Sequence, residues 1–568
     1  MKRLISFILS TTIFFSVFIC SAVTAGAKKS GSFEYEVLKD GTAAITAYLG
    51  KSDTITIPEK IGKYTVTSLA WNWLDEKTVK VLNLPATITK IDRYAFPATQ
   101  ANNIDENNPK FKSIDGVVFS KDGKKLYQFP TDKLKNSVYT IPDGVQVIGD
   151  SAFAYSKFKG VIFPDSVTKL EECALYCCDK LESVTIPEKV TSLEWSTFAN
   201  DSKLKSVTLN NNLKKIKESC FNWCSSLKEI KLPEGLERIE DEAFGMTELT
   251  SVKLPSTLKY LSGFNGARIK SVEVPASVET IDDNCFADCS DLKTVKLHKG
   301  LKKIGDCVFF YCGSLKSLKI PSTVTRIEGD PFTETNIKEL TLPKNLKYLG
   351  LAKSTFGVFP KSLKKLKISK SNKYFSTKSG LLYNKKRTKF LYYPNNRKAK
   401  TFKLPKTVRS IGGNAFSGAE LKKVVVGGKV KRVGNGAFAH STIGTVEFKK
   451  GLKILGSNSF YFAQIYNRIK LPNTVKRIEK GACDACSLSK INIPKSVKYI
   501  GASAFFGADL GKITIYPTVK KIGKEAIGIL YGECGSNGGV NKNTIIRCKK
   551  NSAAYKYAKK YKIKYELF

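Results

Sequence analysis

Stretches such as LESVTIPEKVTSLEWSTF and LKSLKIPSTVTRIEGDPF set the rhythm of this chain. Two apolar residues flank a polar one, a proline follows, further apolar residues come three and six places on, and a phenylalanine closes the unit. The alternating triplet predicts a short strand with both apolar side chains on one face. The proline lacks an N–H and ends that strand. Pro164, Pro187, Pro233, Pro255, Pro275, Pro321, Pro343, Pro405, Pro472, Pro494 and Pro517 recur at 20–24 residues or multiples of that. Phe153, Phe198, Phe221, Phe244, Phe286, Phe309, Phe332, Phe416, Phe438, Phe460 and Phe505 keep the same beat. One unit cannot bury its apolar residues alone, so neighbours must stack. The fold expected is a solenoid of roughly 18 or 19 units, each with a short parallel β-strand.

The cysteines follow the same columns. Cys285/Cys289 and Cys307/Cys312 resemble the two pairs of a zinc ribbon when taken alone. Across the repeats, however, Cys178, Cys224, Cys289, Cys312 and Cys486 fall three places after the Phe position or its equivalent. Cys220 and Cys285 fall just before it, where other units have Ala152, Ala243, Ala415, Ala437 and Ala504. Such interchange favours small buried side chains over metal ligation, with some disulfides left open. Cys534 and Cys548 lie outside the columns and are the candidate disulfide. No metal or other cofactor is expected.

The first residues stand apart. Lys2 and Arg3 precede an apolar run to about Val23, closing on Ala25-Gly26-Ala27, which reads as a secretory signal peptide over 1–27. A membrane anchor of similar length is the alternative. Cys20 makes a poor lipoprotein site because Ile19 precedes it. The whole chain carries a net charge of +44, so polyanions are the expected attraction. Export points to acidic glycans, wall polymers or anionic lipid, and no nucleic acid is expected. No second run of membrane-spanning length occurs.

Charge also marks a candidate face. The outward strand position reads Thr185, Thr208, Lys231, Lys253, Glu273, Lys296, Lys319, Thr341, Lys367, Lys403, Val425, Glu447, Lys470, Asn492 and Thr514; seven of the fifteen are lysine and two are acidic. Two residues earlier, serine, threonine and glutamate give way to Lys365, Lys423, Arg468, Lys490 and Lys512 in the second half. These twelve cations form the candidate ligand face, with diffuse surface charge as the competing reading. Tyr260, Tyr348 and Tyr499 share a column that could stack on sugars, although surface packing is favoured. His298 and His440 are the only histidines, and no catalytic motif interrupts the pattern, so an enzyme is not expected.

The unit L-x-x-V-x-I-P-x-x-V-x-x-I-x-x-x-A-F-x-x-C resembles the BspA-like class of bacterial leucine-rich repeat. Lys189, Gly235 and Thr257 stand where the general leucine-rich pattern has asparagine. The resemblance implies a secreted or surface-displayed binding protein that adheres to host matrix proteins or anionic glycans. A structural protein held to the producer's own wall by charge is the alternative. It also implies a hairpin N-terminal cap with the first repeat over 28–75, turning at Asp40-Gly41, and a solenoid over 76–530. Hairpin insertions are expected near 108–130 and 371–394, then a helix-strand cap over 531–568, its helix starting at about Ser552. A monomer is expected.

Overall fold

The computed structural model describes residues 27–70, 73–74, 79–91, 99–351, 358–395, 397, 400–488, 490–531 and 539–568. Residues 1–26 of the signal-peptide segment and Cys534 lie outside the described residues. The chain divides into two compact units, one ending at Leu204 and the other running from Lys205 to Phe568. Both are parallel β-solenoids built on the same turn.

In the first unit, Phe33–Val37 and Ala43–Tyr48 pair antiparallel, and Tyr64–Leu69 joins in parallel. At the turn, Gly41 takes a φ of 81°, and its N–H bonds the Leu38 carbonyl at 3.0 Å. The strands Val138–Thr140, Gly160–Ile162 and Ser183–Thr185 then stack in parallel. Each segment expected as an insertion is a three-stranded antiparallel sheet, Phe111–Ile114 to Lys125–Gln128 in this unit and Phe375–Lys378 to Lys389–Tyr392 in the other. The last strand of each runs on into a parallel ladder. A buried asparagine anchors each entry: Asn372 Nδ2 donates to the Leu346 carbonyl at 2.9 Å while its Oδ1 accepts from the Tyr374 and Phe375 N–H groups at 2.7 Å. Asn108 does the same between Ile88 and Phe111.

The longest ladder in the second unit is not the apolar triplet. It is the two-residue strand six places after the proline position: Ser410–Ile411, Arg432–Val433, Ile454–Leu455, Arg477–Ile478, Tyr499–Ile500 and Lys521–Ile522 follow one another in a nine-stranded sheet. The triplet forms regular strands only in places; the segments carrying Lys231, Lys253 and Lys319 keep the in–out alternation without ladder bonds. Where the triplets do pair, Glu420–Val426, Thr442–Phe448 and Gln464–Lys470 make the broadest sheet.

The phenylalanine segment supplies a third ladder. Asn284, Phe286 and Asp288 donate their N–H groups to the carbonyls of Asp306, Val308 and Phe310 at 2.9, 3.0 and 2.7 Å. Asn284 and Asp288 hold φ at 57° and 58°, so alternate peptides turn their N–H groups toward the next turn. The intervening N–H groups bond three residues back, as Ala287 does to Asn284 at 2.9 Å. This brings the rings into register: Phe221, Phe244, Phe264, Phe286, Phe309 and Phe332 stack with centroids 5.2 to 6.4 Å apart and planes within 15°. The residue three places after each Phe is small and buried. Cys178, Cys289 and Cys312 donate Sγ–H to the carbonyls of Phe153, Phe264 and Phe286 at 3.1, 3.0 and 3.0 Å.

Because all three donors point to the following turn, the last turn is left with open N–H groups. Helix α1 (Ala553–Lys560), capped at its start by the Ser552 hydroxyl, brings up acceptors for two of them. Tyr557 Oη accepts from the Ile527 N–H at 2.9 Å and donates to the Ile527 carbonyl at 3.1 Å, and Tyr561 Oη accepts from Glu525 at 3.3 Å. Tyr557→Phe should therefore cost about 1–3 kcal/mol, the penalty for a stranded buried N–H. An unchanged denaturation midpoint would show that the hydroxyl caps nothing.

Asp201 breaks the small-residue column. It is fully buried; Oδ1 accepts the Cys178 N–H at 2.7 Å, while Oδ2 has no partner. Burial holds its carboxyl well above the usual range. A folded-state pKa above the unfolded value of about 3.9 means that stability is full below that pH and falls as pH rises. Asp201→Asn should thus gain stability over wild type between pH 4 and pH 7, and a constant difference across that range in thermal melts would refute the account.

Candidate ligand-binding face

Alternation along each strand sends the candidate cations outward. Eleven of the twelve are exposed, and Lys423 is half-buried. Their electrostatic settings differ sharply along the second unit. In its earlier turns acids answer four of the six: Lys296 lies opposite Glu273 in the ladder with Nζ 2.7 Å from Oε1, and His298 Nε2 meets the same oxygen at 2.6 Å. Lys253 reaches Glu234 at 3.7 Å, and Lys365 and Lys367 share Glu339 at 3.6 and 3.8 Å. Lys512 pairs with Glu566 at 2.7 Å. Such exposed pairs contribute little stability but lower the local potential.

Lys231, Lys319, Lys403, Arg468, Lys470 and Lys490 have no acidic partner among the described residues. Four of them gather on the broad sheet. Thr401, Lys423, Thr445 and Arg468 form one outward row across successive strands, and Lys403, Val425, Glu447 and Lys470 form the next. A bridge between Ile469 and Ile491 brings Lys490 alongside. Lys231 and Lys319 lie in turns apart from this group. Within the rows Glu447 is the single acid. Lys423 Nζ lies 2.8 Å and Lys449 Nζ 2.5 Å from its carboxylate, and together they pull its carboxyl down to about 2. Lys449 was not among the expected residues, although its place two residues after Glu447 puts it on the same face.

The tyrosine column is occupied by the protein itself. The guanidinium groups of Arg238, Arg326 and Arg477 lie 4.2, 4.0 and 4.2 Å from the ring centres of Tyr260, Tyr348 and Tyr499 on the following turn. Glu240, Glu328 and Glu479 hold those arginines in place. These rings pack, as cation–π partners, and present no free face on that side for a sugar. The described cysteines are free thiols, and burial pushes those of Cys285 and Cys312 far up, away from the reactive thiolate. Cys548 is buried, and its candidate partner Cys534 lies outside the described residues. Among the described residues no group of three or more His, Cys, Asp or Glu could hold a metal ion, and no helix is long and apolar enough to cross a membrane.

Charge follows the same division. Residues 361–568 contain 46 lysines and arginines against 8 acids, whereas residues 1–360 contain 48 against 42, so +38 of the net +44 sits in the last part of the sequence. Glu447→Gln should free Lys423 and Lys449 and delay elution from a heparin column to higher salt. Unchanged or earlier elution would mean that this sheet does not meet the polyanion.

The sequence model for the BspA type Leucine rich repeat region matches residues 51–145, 146–264, 260–380, 389–511 and 476–528. No curated protein matches the chain. Among solved structures, a leucine-rich repeat protein from Bacteroides ovatus ATCC 8483 is 22% identical, covering 81% of this chain and 98% of its own, with a TM-score of 0.38. A leucine rich cell surface protein from Faecalibacterium prausnitzii A2-165 is 20% identical over 94% of this chain and 98% of its own, with a TM-score of 0.22. The pneumococcal vaccine antigen PcpA is 18% identical over 82% and 98%, with a TM-score of 0.35. With the repeat model spread over most of its length, this chain belongs to the BspA-type leucine-rich repeat family.

Proposed function

We propose that the protein is exported and works at the bacterial surface as a binding protein, adhering to host proteins or acidic glycans through the broad sheet around residues 401–490. The observation that carries this reading is the group of Lys403, Arg468, Lys470 and Lys490, exposed along one sheet and its bridged edge without an acidic partner among the described residues. Structural use of those positions would favour alternating charge, as at Glu273 and Lys296. A second reading, electrostatic retention on the producer's own wall, draws support from the +38 carried by residues 361–568.

Salt separates the two, because contacts between exposed charges are screened within about 8 Å at physiological ionic strength. The chain from Lys28 onward would be tested on immobilised fibronectin, fibrinogen, mucin glycans and wall polymers at low and high salt, beside a variant with Lys403, Arg468, Lys470 and Lys490 changed to Ser. Saturable binding to one partner that survives salt and falls at least tenfold in the variant is the expected result. Equal binding to every anionic surface, abolished by salt, would replace adhesion with wall retention.

A further inference from the structure

A second row of cations lies on the long ladder of two-residue strands, one residue before each strand. Arg409, Lys431, Lys453, Lys476, Lys498 and Lys520 occupy this position in six successive turns. Their backbones bond directly in sequence: Lys431 N–H to the Arg409 carbonyl at 3.2 Å, Lys453 to Lys431 at 2.9 Å, Lys476 to Lys453 at 2.8 Å, Lys498 to Lys476 at 2.9 Å and Lys520 to Lys498 at 2.9 Å. All six side chains are exposed, and none has an acidic partner among the described residues. At the ordinary spacing of parallel strands they form a single file about 24 Å long.

The same column earlier in the unit is built differently. Lys214, Glu237, Lys259, Glu279 and Lys302 alternate in sign. Lys259 meets Glu237 at 2.9 Å and Lys302 meets Glu279 at 2.5 Å. The scaffold is therefore compatible with neutralising partners at this position, and the later turns lack them. An uninterrupted file of like charge is unfavourable on its own and complementary to a chain carrying anionic groups along its length.

We propose that Arg409, Lys431, Lys453, Lys476, Lys498 and Lys520 form a track that binds one extended, linear anionic polysaccharide along the ladder. Two features favour a polysaccharide over a polynucleotide. Single-stranded nucleic acid is held by aromatic side chains on which bases stack; this file contains none, and the neighbouring Tyr499 is covered by Arg477. The backbone of a duplex winds around its axis, advancing about 3.4 Å per phosphate on each strand, so a straight file of cations about 24 Å long follows only part of it. The track lies on a different ladder from the broad sheet and does not depend on that sheet binding anything.

The test uses the chain from Lys28 to Phe568 and titrates it at physiological salt with heparin, with polygalacturonate and with duplex DNA. Three proteins are compared: wild type, a track variant (K431Q, K453Q, K476Q and K498Q) and a sheet variant (K403Q, R468Q, K470Q and K490Q), each checked for an unchanged melting temperature. The expected result is a loss of at least tenfold in polysaccharide affinity for the track variant, several times larger than any loss in the sheet variant. Replacing the same four lysines by arginine should restore binding. Preference for heparin or for polygalacturonate identifies a sulfated or a carboxylated chain. Equal losses in the two variants would mean that only diffuse charge is sensed, and DNA binding as tight as heparin with the same loss would assign the track to nucleic acid. Either result overturns the proposal, and neither bears on salt-resistant binding of a protein ligand by the broad sheet.

Discussion

Everything else in these solenoids leans on the hydrogen bonds that run from one phenylalanine segment to the next. Three N–H groups per turn point the same way, from Asn284, Phe286 and Asp288 to the turn beginning near Asp306, and similarly from Ser151, Phe153 and Tyr155 to the turn beginning near Glu172. That requires residues four apart to adopt left-handed backbone, which costs an L-residue about 1–2 kcal/mol. The cost is met at Trp223, Glu242, Cys307 and Tyr311 alike, so side-chain preference does not select it. The ladder imposes it, because an unbonded buried N–H would cost as much or more.

Two consequences follow within each unit. The ladder sets the pitch, so each Phe ring lies under the next and the residue three places on has room only for a small side chain. Cysteine fits and adds a weak thiol bond to the carbonyl one turn back, as at Cys289 and Cys312. The ladder is also polar, and its ends differ chemically. Phe129 and Tyr393 feed donors into the turns that follow the inserted sheets, bonding the Ala152 and Ala415 carbonyls at 2.8 and 2.7 Å. At the other end hydroxyl acceptors are needed, and Tyr557 and Tyr561 provide them.

The parts of the fold that depend on residue type were legible in the sequence: the phenylalanine beat, the prolines, the exchange of Cys with Ala, and the N-cap at Ser552. The parts that depend on backbone geometry were not. Nothing in Glu242 or Tyr311 announces a left-handed residue, and the two-residue strand is too short to leave an alternation. Contacts between turns were hidden for another reason. Arg238 and Tyr260 stand 22 residues apart, so the packing favoured for the tyrosine column had no visible partner until the register placed a guanidinium on each ring. On the candidate face the outward positions could be read directly, but their acidic partners could not, since the pairing of Lys296 with Glu273 depends on strand register. The file from Arg409 to Lys520 was visible as basic residues and lost among the other lysines of the segment.

That file shows how far the backbone ladder frees the surface from the core. Unit charges about 4.8 Å apart repel by roughly 0.9 kcal/mol in water, less once salt screens them and side chains splay. Each turn meanwhile buries a Phe and several aliphatic side chains, each contributing about 1.5–3 kcal/mol, and holds its register through backbone bonds that do not involve the outward residue. The core therefore tolerates like charge on every turn, and outward positions can change sign without moving the scaffold. A polyanion laid along the ladder would gain its own contacts and also relieve the repulsion already present. The alternating column from Lys214 to Lys302 has no such repulsion to release. Two stretches of one unit, built on the same turn, are thereby prepared for different electrostatic partners.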